Sequence, residues 1–465
     1  MQPTEEQARI IEMARSGGGM KINAFAGTGK TTTLALLADA HPADQILYLA
    51  FNRDIANDAS GRMGWKVESR TIHSMAYAAM RPDRARLQMK MSGRWAADKL
   101  DMKEMYVGGR RLAPSVLGAL VLQTVIRYCN SADVALSDLH VPMLEDIYAD
   151  IPDSVAEDHA QHDLMRAMVL EAAKKLWAAQ QKTNGDTPIT HDTYLKQWAL
   201  TEPRITADLI MFDEAQDANP VMLDVLTRQE APIVWAGDKH QQIYAWRGAV
   251  DAISQVKSDN EGHLTQSFRF GEKIADVANV ILKHLGEEKP LLGIGGGDVD
   301  ESRAILTRTN AQAIASFMRL KGEANLSGAR DLDNTLDQLQ SLKKGKPQGA
   351  FALFSNYEEL IEYSEGPSGQ QVKTILQAVE NYGLSEIRSK IKQASSEGRY
   401  RTTVSTCHKA KGREWGHVRI TPDWERTEDG RAVLTDEEAR LMYVAVTRAK
   451  SMLDTSEIRP WLDLM

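Results

Sequence analysis

A chain of 465 residues, 43% hydrophobic and 26% charged, can bury more than one core and is expected to divide into several domains. Cys129 and Cys407, its two cysteines, stand far apart without CxxC or Cys/His ligand spacing, which argues against a disulfide framework or zinc site and fits a reducing, cytoplasmic setting. The opening MQPTEEQARII has no charged n-region leading into an apolar h-region, and no run of about 18 apolar residues occurs, so neither secretion nor membrane spanning is expected. A formal net charge of -8 is the wrong sign for a uniformly basic nucleic-acid binder, so any strand contact must rest on local charge.

The chain opens as a parallel α/β unit. From residue 20 to 75, apolar runs (KINAFA, QILYLAF) alternate with helical stretches (TTTLALLADA, RDIANDAS). Residues 79–199 are rich in Met, Ala, Leu and charge at helical spacing and read as an all-helical insertion. Inside it, Arg81 to Arg111 holds nine Lys/Arg against four acids, a run that reads equally as a strand-binding patch or a solvated helix face. The strand-like runs ADLIMFDEA and APIVWAGD resume the first sheet. A second α/β unit opens near Gly262, contains RAILTRTN, breaks into a polar region from Lys321 to Gly398, and resumes with TTVSTCHKA and LMYVAVTRA. SLKKGKPQG within the break reads as a surface linker or hairpin.

Between strand KINAF and the first helix lies AFAGTGKTT, a phosphate-binding loop comprising Ala26, Gly27, Thr28, Gly29, Lys30, Thr31 and Thr32. The glycines let backbone N–H groups face phosphate oxygens, and the helix N-terminus adds a positive dipole. Lys30 reaches the β- and γ-phosphates, while the Thr31 hydroxyl ligates Mg2+. Strand LIMF ends in Asp213-Glu214-Ala215-Gln216-Asp217, which places carboxylates at the end of a parallel strand. Asp213 can then hold the metal and Glu214 can activate the attacking water.

DEAQD followed by VWAGDKHQQIYAWRGA resembles the UvrD-like branch of superfamily 1 helicases, as do PTEEQ, RTIHS, QSFR, TCHKAKGREW and EEARLMYVAVTRAK. The last two are closest in wording to the F-box DNA helicase group, although no F-box segment can be placed. Ala24, where the general loop pattern has glycine, suits this branch. The resemblance implies two RecA-like P-loop NTPase domains with parallel sheets: residues 1–78 with 200–261, and 262–320 with 399–465. The insertions are 79–199 and a reduced 321–398.

It also implies roles. Gln7 resembles the reader of the adenine edge, a plain polar helix residue being the alternative. Gln241 resembles the γ-phosphate sensor, and Phe268 a base-stacking aromatic in a place usually held by Tyr. Arg269 and Arg448 resemble arginine fingers from the two domains. Glu414 resembles the ribose-binding acid. For single-stranded DNA, Trp246 with Arg247 and Tyr244, Phe51 with Asn52, Thr71 with His73, and His408, Lys409 and Lys411 as a group match strand-contacting motifs, with ordinary core packing the alternative for Phe51 and Trp246.

The activity so implied is that of an ATP- and Mg2+-dependent motor on single-stranded and tailed duplex DNA, moving 3′ to 5′ and unwinding, within repair, recombination or replication. After Arg448, EIRPWLDLM is too short for the family's strand-separating hairpin, so translocation is expected more firmly than separation. A nucleotide-gated remodelling ATPase and an RNA helicase stay open as alternatives.

Overall fold

The computed structural model describes residues 2–465 except 108–109, 144–158, 245–249, 251, 259, 297–299, 321–323, 352–353, 355, 366–368, 397–401 and 428. Two parallel sheets organise it. The first contains β1 (Met20–Ala24), β2 (Ile46–Ala50), β3 (Val67–Thr71) and, after the short ribbon strands β4 (Met105–Val107) and β5 (Arg110–Leu112), β6 (Leu209–Phe212), β7 (Ile233–Gly237) and β8 (Glu261–Leu264). Its order is β3-β2-β6-β7-β1-β8, parallel throughout. Strand β2 is an unbroken apolar run, ILYLA, buried at every position, because helices cover both faces of a parallel sheet. Ile10, Leu34 and Leu37 fill one face; Ile72, Leu195 and Trp198 fill the other.

Gly262, where the sequence suggested a second unit opening, lies in β8 and pairs with Ile22. A Cβ there would press against the Ile10 side chain, which explains a small residue on this strand. The second unit begins beyond a two-residue parallel pairing of β9 (Gln266–Ser267) with β10 (Leu292–Gly293). It holds β11 (Arg303–Thr307), β12 (Ala324–Leu326), β13 (Thr402–Thr406), β14 (Trp415–Ile420) and β15 (Ala449–Asp454), parallel in the order β12-β13-β11-β14-β15. Strand β12 lies within the stretch read as the second insertion, yet it is the edge of this sheet.

Between β12 and β13 the polar stretch is mainly helical: Ala329–Lys343, Tyr357–Glu365, Gln370–Tyr382 and Leu384–Ser396. Leu336, Leu339, Ile387 and Ile391 pack together with Val404 of β13, so these helices share a core with the sheet. The linker read at SLKKGKPQG starts as the end of the first of these helices. Near the C-terminus, Ile458 and Trp461 are wholly buried against the second domain, with Arg426 over the Trp461 ring at 4.4 Å.

The first insertion builds its own core around Leu117, Val121, Met165 and Leu176. It is not all-helical: β4 and β5 pair antiparallel, with Val107 and Leu112 buried and Tyr106 half exposed, the two-residue alternation of a ribbon with one covered face. Much of its basic run serves the insertion itself. Arg86 is buried and donates to the carbonyls of Thr187, Lys182 and Gln180 at 2.6–2.9 Å, while Lys99, Lys103 and Arg111 pair with Asp186, Asp101 and Glu104.

Helices Gly93–Lys99 and Pro114–Asn130 approach so closely at Gly118 that an added Cβ would strike the Gly93 carbonyl oxygen. Gly118→Val is expected to cost about 3 kcal/mol, because backbone on both sides has no room to yield. Urea denaturation checks this; an unchanged midpoint would rule out the tight crossing.

Candidate functional site

Apart from Gln7 on the first helix, the chemistry-bearing motifs of the first domain leave the carboxyl ends of its strands, the edge where parallel sheets place ligands. The phosphate loop follows β1, Asp213 follows β6, and Asp238 follows β7. The loop turns through Gly27 and Gly29, at φ +75° and +74°. A Cβ on Gly27 would lie 2.5 Å from Ser267 Oγ and 2.6 Å from the Arg269 Cβ, so this turn needs glycine twice over. Helix α2, counted after α1 (Glu5–Arg15), runs from Lys30 to Ala40 and has no side-chain cap at Gly29. Its leading N–H groups therefore face the pocket, an arrangement suited to an anion.

Lys30 Nζ sits 2.6 Å from Asp213 Oδ1 and 2.7 Å from Glu214 Oε1. Burial opposes the ammonium charge, but the two carboxylates outweigh it and raise the Lys30 pKa. For Glu214, burial likewise opposes ionisation, and Lys30 and then Lys411 override it, holding the carboxyl at about 2. Glu214 is thus ionised at neutral pH and able to accept a proton. Its backbone is left-handed at φ +56°, a conformation that costs a non-glycine residue and aims the carboxylate at Lys30. Tyr48, in the middle of β2, donates to Asp213 Oδ2 at 2.6 Å.

The second domain closes the site. Lys411 donates to both Asp217 oxygens at 2.8 and 2.6 Å and to the Gln241 carbonyl at 2.7 Å. Burial pushes Asp217 up to about 6 despite that lysine. Gln241 donates to Asp238 Oδ2 at 2.7 Å and accepts from Arg448 at 3.3 Å. Arg448 is 2% exposed; burial, then Arg269, lowers its guanidinium to about 9, which leaves it charged at neutral pH. Arg269 pairs with Glu414 at 2.8 Å and donates to the Thr447 carbonyl at 2.9 Å, while its buried Nε has no hydrogen-bond partner. Burial also pushes Asp238 up, with His240, Gln241 and Tyr443 pulling the other way.

These groups surround a pocket of about 450 Å³ that the loop residues Ala26 to Thr32, Glu214, Gln241, Phe268, Arg269, Glu414 and Arg448 all line. Gln7 reaches the loop from α1, but its Oε1 accepts the Thr4 N–H of a capping box and its Nε2 donates to Thr33, so one amide hydrogen and one lone pair remain. Phe268, 42% exposed, lies against Gly29 at the pocket mouth. Gly27 and Gly29, uncapped α2, Lys30 and the unpaired Arg269 Nε fit a polyphosphate; Thr31 with Asp213 supplies the hard oxygen donors a Mg2+ ion takes.

The strand-contacting residues fall into separate groups. Phe51 stacks on Tyr244 (6.3 Å, 7° between planes), Lys411 Nζ lies 5.2 Å above the Tyr244 ring, and Tyr244 donates to the His408 carbonyl at 3.3 Å, so both domains contribute. Asn52 caps α3 (Arg53–Arg62), and Thr71 caps α4 (Ile72–Met80) through Ser74. His73 lies 3.5 Å from Asp192 of the first insertion, and Lys409 lies over Gly328. Trp246 and Arg247 lie outside the described residues. Tyr48, Asp238 and Tyr443 received no role from sequence; a polar hydroxyl inside the apolar runs ILYLA and LMYVAV was the only signal for the tyrosines.

Residues 4–261 match the UvrD/REP helicase N-terminal domain, and residues 308–459 match the UvrD-like helicase C-terminal domain. The chain belongs to the UvrD-like helicase family. Within that family it is similar to F-box DNA helicase 1 of Gallus gallus, at 28% identity over 98% of this chain and 49% of the relative. F-box DNA helicase protein 1 of Schizosaccharomyces pombe matches at 28% over 97% of this chain and 57% of its own length. DNA helicase IV of Escherichia coli is 23% identical over 96% of this chain and 66% of the relative. The chain spans about half the length of the F-box relatives it matches. Among the described residues, no helix is long and apolar enough to cross a membrane.

Lys411→Met leaves the buried Asp217 without its cation and is expected to lose about 3 kcal/mol near pH 8. A carboxyl raised in the folded state contributes most below its unfolded value of 3.8 and loses that contribution as pH climbs through about 6. The variant, with Asp217 raised further, should therefore show a smaller deficit near pH 5. Thermal melts at both pH values check the sign; equal deficits would refute it.

Proposed function

We propose that this protein is an ATP-dependent DNA helicase that binds single-stranded DNA, hydrolyses ATP between its two sheets, and moves 3′ to 5′ to separate tailed duplexes. The observation that carries this reading is the convergence of Lys30 and Glu214 with Arg269, Glu414 and Arg448 around one pocket, with Asp213 paired to Lys30. That the matched relatives are named DNA helicases supports the choice of nucleic acid.

Glu214 takes the proton of the attacking water, and Lys30 shifts from the two carboxylates toward the β- and γ-phosphate oxygens. Arg269 offers its unpaired Nε, and Arg448 a guanidinium held by the Val444 carbonyl and the Thr447 hydroxyl, to the charge that grows on the transferred phosphoryl group. Thr31 and Asp213 would hold a Mg2+ ion, whose positive charge would offset part of the charge on the phosphates. Gln7 and Phe268 bind the base, one by its amide and the other by its ring face, and Glu414 takes the ribose.

Because acidic and guanidinium groups come from different domains, turnover requires closure, and release of product relaxes it. Phe51 and Tyr244, stacked at the same interface with Lys411 over the Tyr244 ring, give bases a flat apolar platform beside a positive charge, while His408 and Lys409 extend it. Asn52, Thr71 and His73 at the starts of α3 and α4, with Trp246 and Arg247, complete the proposed strand path.

Single-stranded DNA is expected to stimulate ATP turnover strongly, with RNA much less effective, and duplexes with a 3′ tail should be unwound in preference to those with a 5′ tail. Turnover indifferent to DNA would sink the reading. Lys30→Ala should abolish hydrolysis, and Glu214→Gln should retain ATP binding while kcat falls by about a hundredfold or more. Normal turnover in the Glu214→Gln protein would remove Glu214 as the base.

A further inference from the structure

One hydroxyl ties the phosphate loop to the helix that precedes the arginine finger. Tyr443 lies in the helix Asp436–Val446, is wholly buried, and sets its ring edge-on to His240 at 6.1 Å. Its oxygen accepts the Ala26 N–H of the phosphate loop at 3.2 Å and donates to Asp238 Oδ2 at 3.1 Å. The same Asp238 oxygen accepts Gln241 Nε2, and Gln241 Oε1 accepts the Arg448 guanidinium. Asp238 Oδ1 accepts the His240 backbone N–H at 3.0 Å, so the carboxylate is fixed from both sides.

The chain of donors and acceptors thus runs from loop backbone through a tyrosine of the other domain to a carboxylate, an amide and the finger. Arg448 is also tied to the helix that carries Tyr443, because its Nε donates to the Val444 carbonyl at 2.9 Å. The Tyr443 ring belongs to an apolar cluster in which Phe25, Ala26 and Ile243 of the first domain pack with Leu441, Val444 and Ala445 of the second. Because the hydroxyl is wholly buried, losing either partner is costly, and the two hydrogen bonds set the relative position of loop and helix.

We infer that Tyr443 is a positioning residue whose hydroxyl couples the shape of the phosphate loop to the placement of Arg448. It touches neither nucleotide nor reacting atoms; it acts through Ala26, Asp238 and Gln241. A loop that shifts on taking up phosphate moves the Ala26 N–H that donates to Tyr443, and the shift is transmitted to the helix that ends at the finger. This inference rests on the ATPase reading above.

The test uses the full chain with Tyr443→Phe, which keeps the ring and its packing and deletes the hydroxyl. With saturating single-stranded DNA, kcat for ATP is expected to fall about tenfold while KM stays within about twofold, because the deficit appears only when the finger must be placed. A second measurement needs no nucleotide: the losses in thermal stability of Tyr443→Phe and Asp238→Asn should be clearly non-additive when combined, since both remove one contact.

An unchanged kcat in Tyr443→Phe beside an active wild type overturns the inference alone. Parallel changes in kcat and KM, or additive stability losses, reduce Tyr443 to packing and overturn it as well. A wild type without ATP turnover sinks the ATPase reading and this inference with it.

Discussion

The ammonium of Lys30, held between Asp213 and Glu214, is the charge on which the site is built. Two carboxylates this close and this buried would repel one another; one cation between them offsets that repulsion and holds Glu214 ionised. The arrangement also defines a swap. Whatever anion enters the loop competes for Lys30 and releases carboxylates able to meet a metal ion or a water. Tyr48, donating to Asp213 from the middle of the sheet, keeps that carboxylate from turning away when its partner leaves.

Around this centre the two domains divide the labour by charge. The first brings the phosphate loop and the acids; the second brings Arg448 and Lys411. Arg269, on the connection between the sheets, pairs with Glu414 and donates to the Thr447 carbonyl, so each guanidinium already has a place before any ligand arrives. Such held donors lower the reorganisation needed during phosphoryl transfer. The apolar contact of Phe25, Ala26 and Ile243 with Leu441 and Val444 supplies area, while Lys411 with Asp217 and Tyr443 with Asp238 supply register.

Sequence made the strands and the loop readable because both are local. ILYLA can only be a strand buried on two faces, and AFAGTGKTT between a strand and a helix can only turn one way. Acidic residues after LIMF were readable for the same reason. Long-range pairings were not: nothing near Tyr443 announces Ala26, and nothing near Tyr48 announces Asp213. The basic run from Arg81 to Arg111 looked like an external patch because charge density carries no direction; Arg86 turns inward to three carbonyls. Strand β12 was absorbed into a polar stretch because three residues are too few to show a period. The ribbon β4–β5 escaped for the same reason. Asn52 and Thr71 were read as strand contacts; in the structure each caps the helix that follows it.

Both accessory segments occupy the same kind of place. One separates β3 from β6 and the other separates β12 from β13, and in each case the chain leaves and re-enters a parallel sheet where a single crossover helix would suffice. The pockets and charges described above gather at the carboxyl edge of the first sheet, around strands β1, β6 and β7, which those crossovers do not form. Growth, shrinkage or exchange of either segment therefore leaves the carboxyl ends of β1, β6 and β7, with the phosphate loop and its acids, in place.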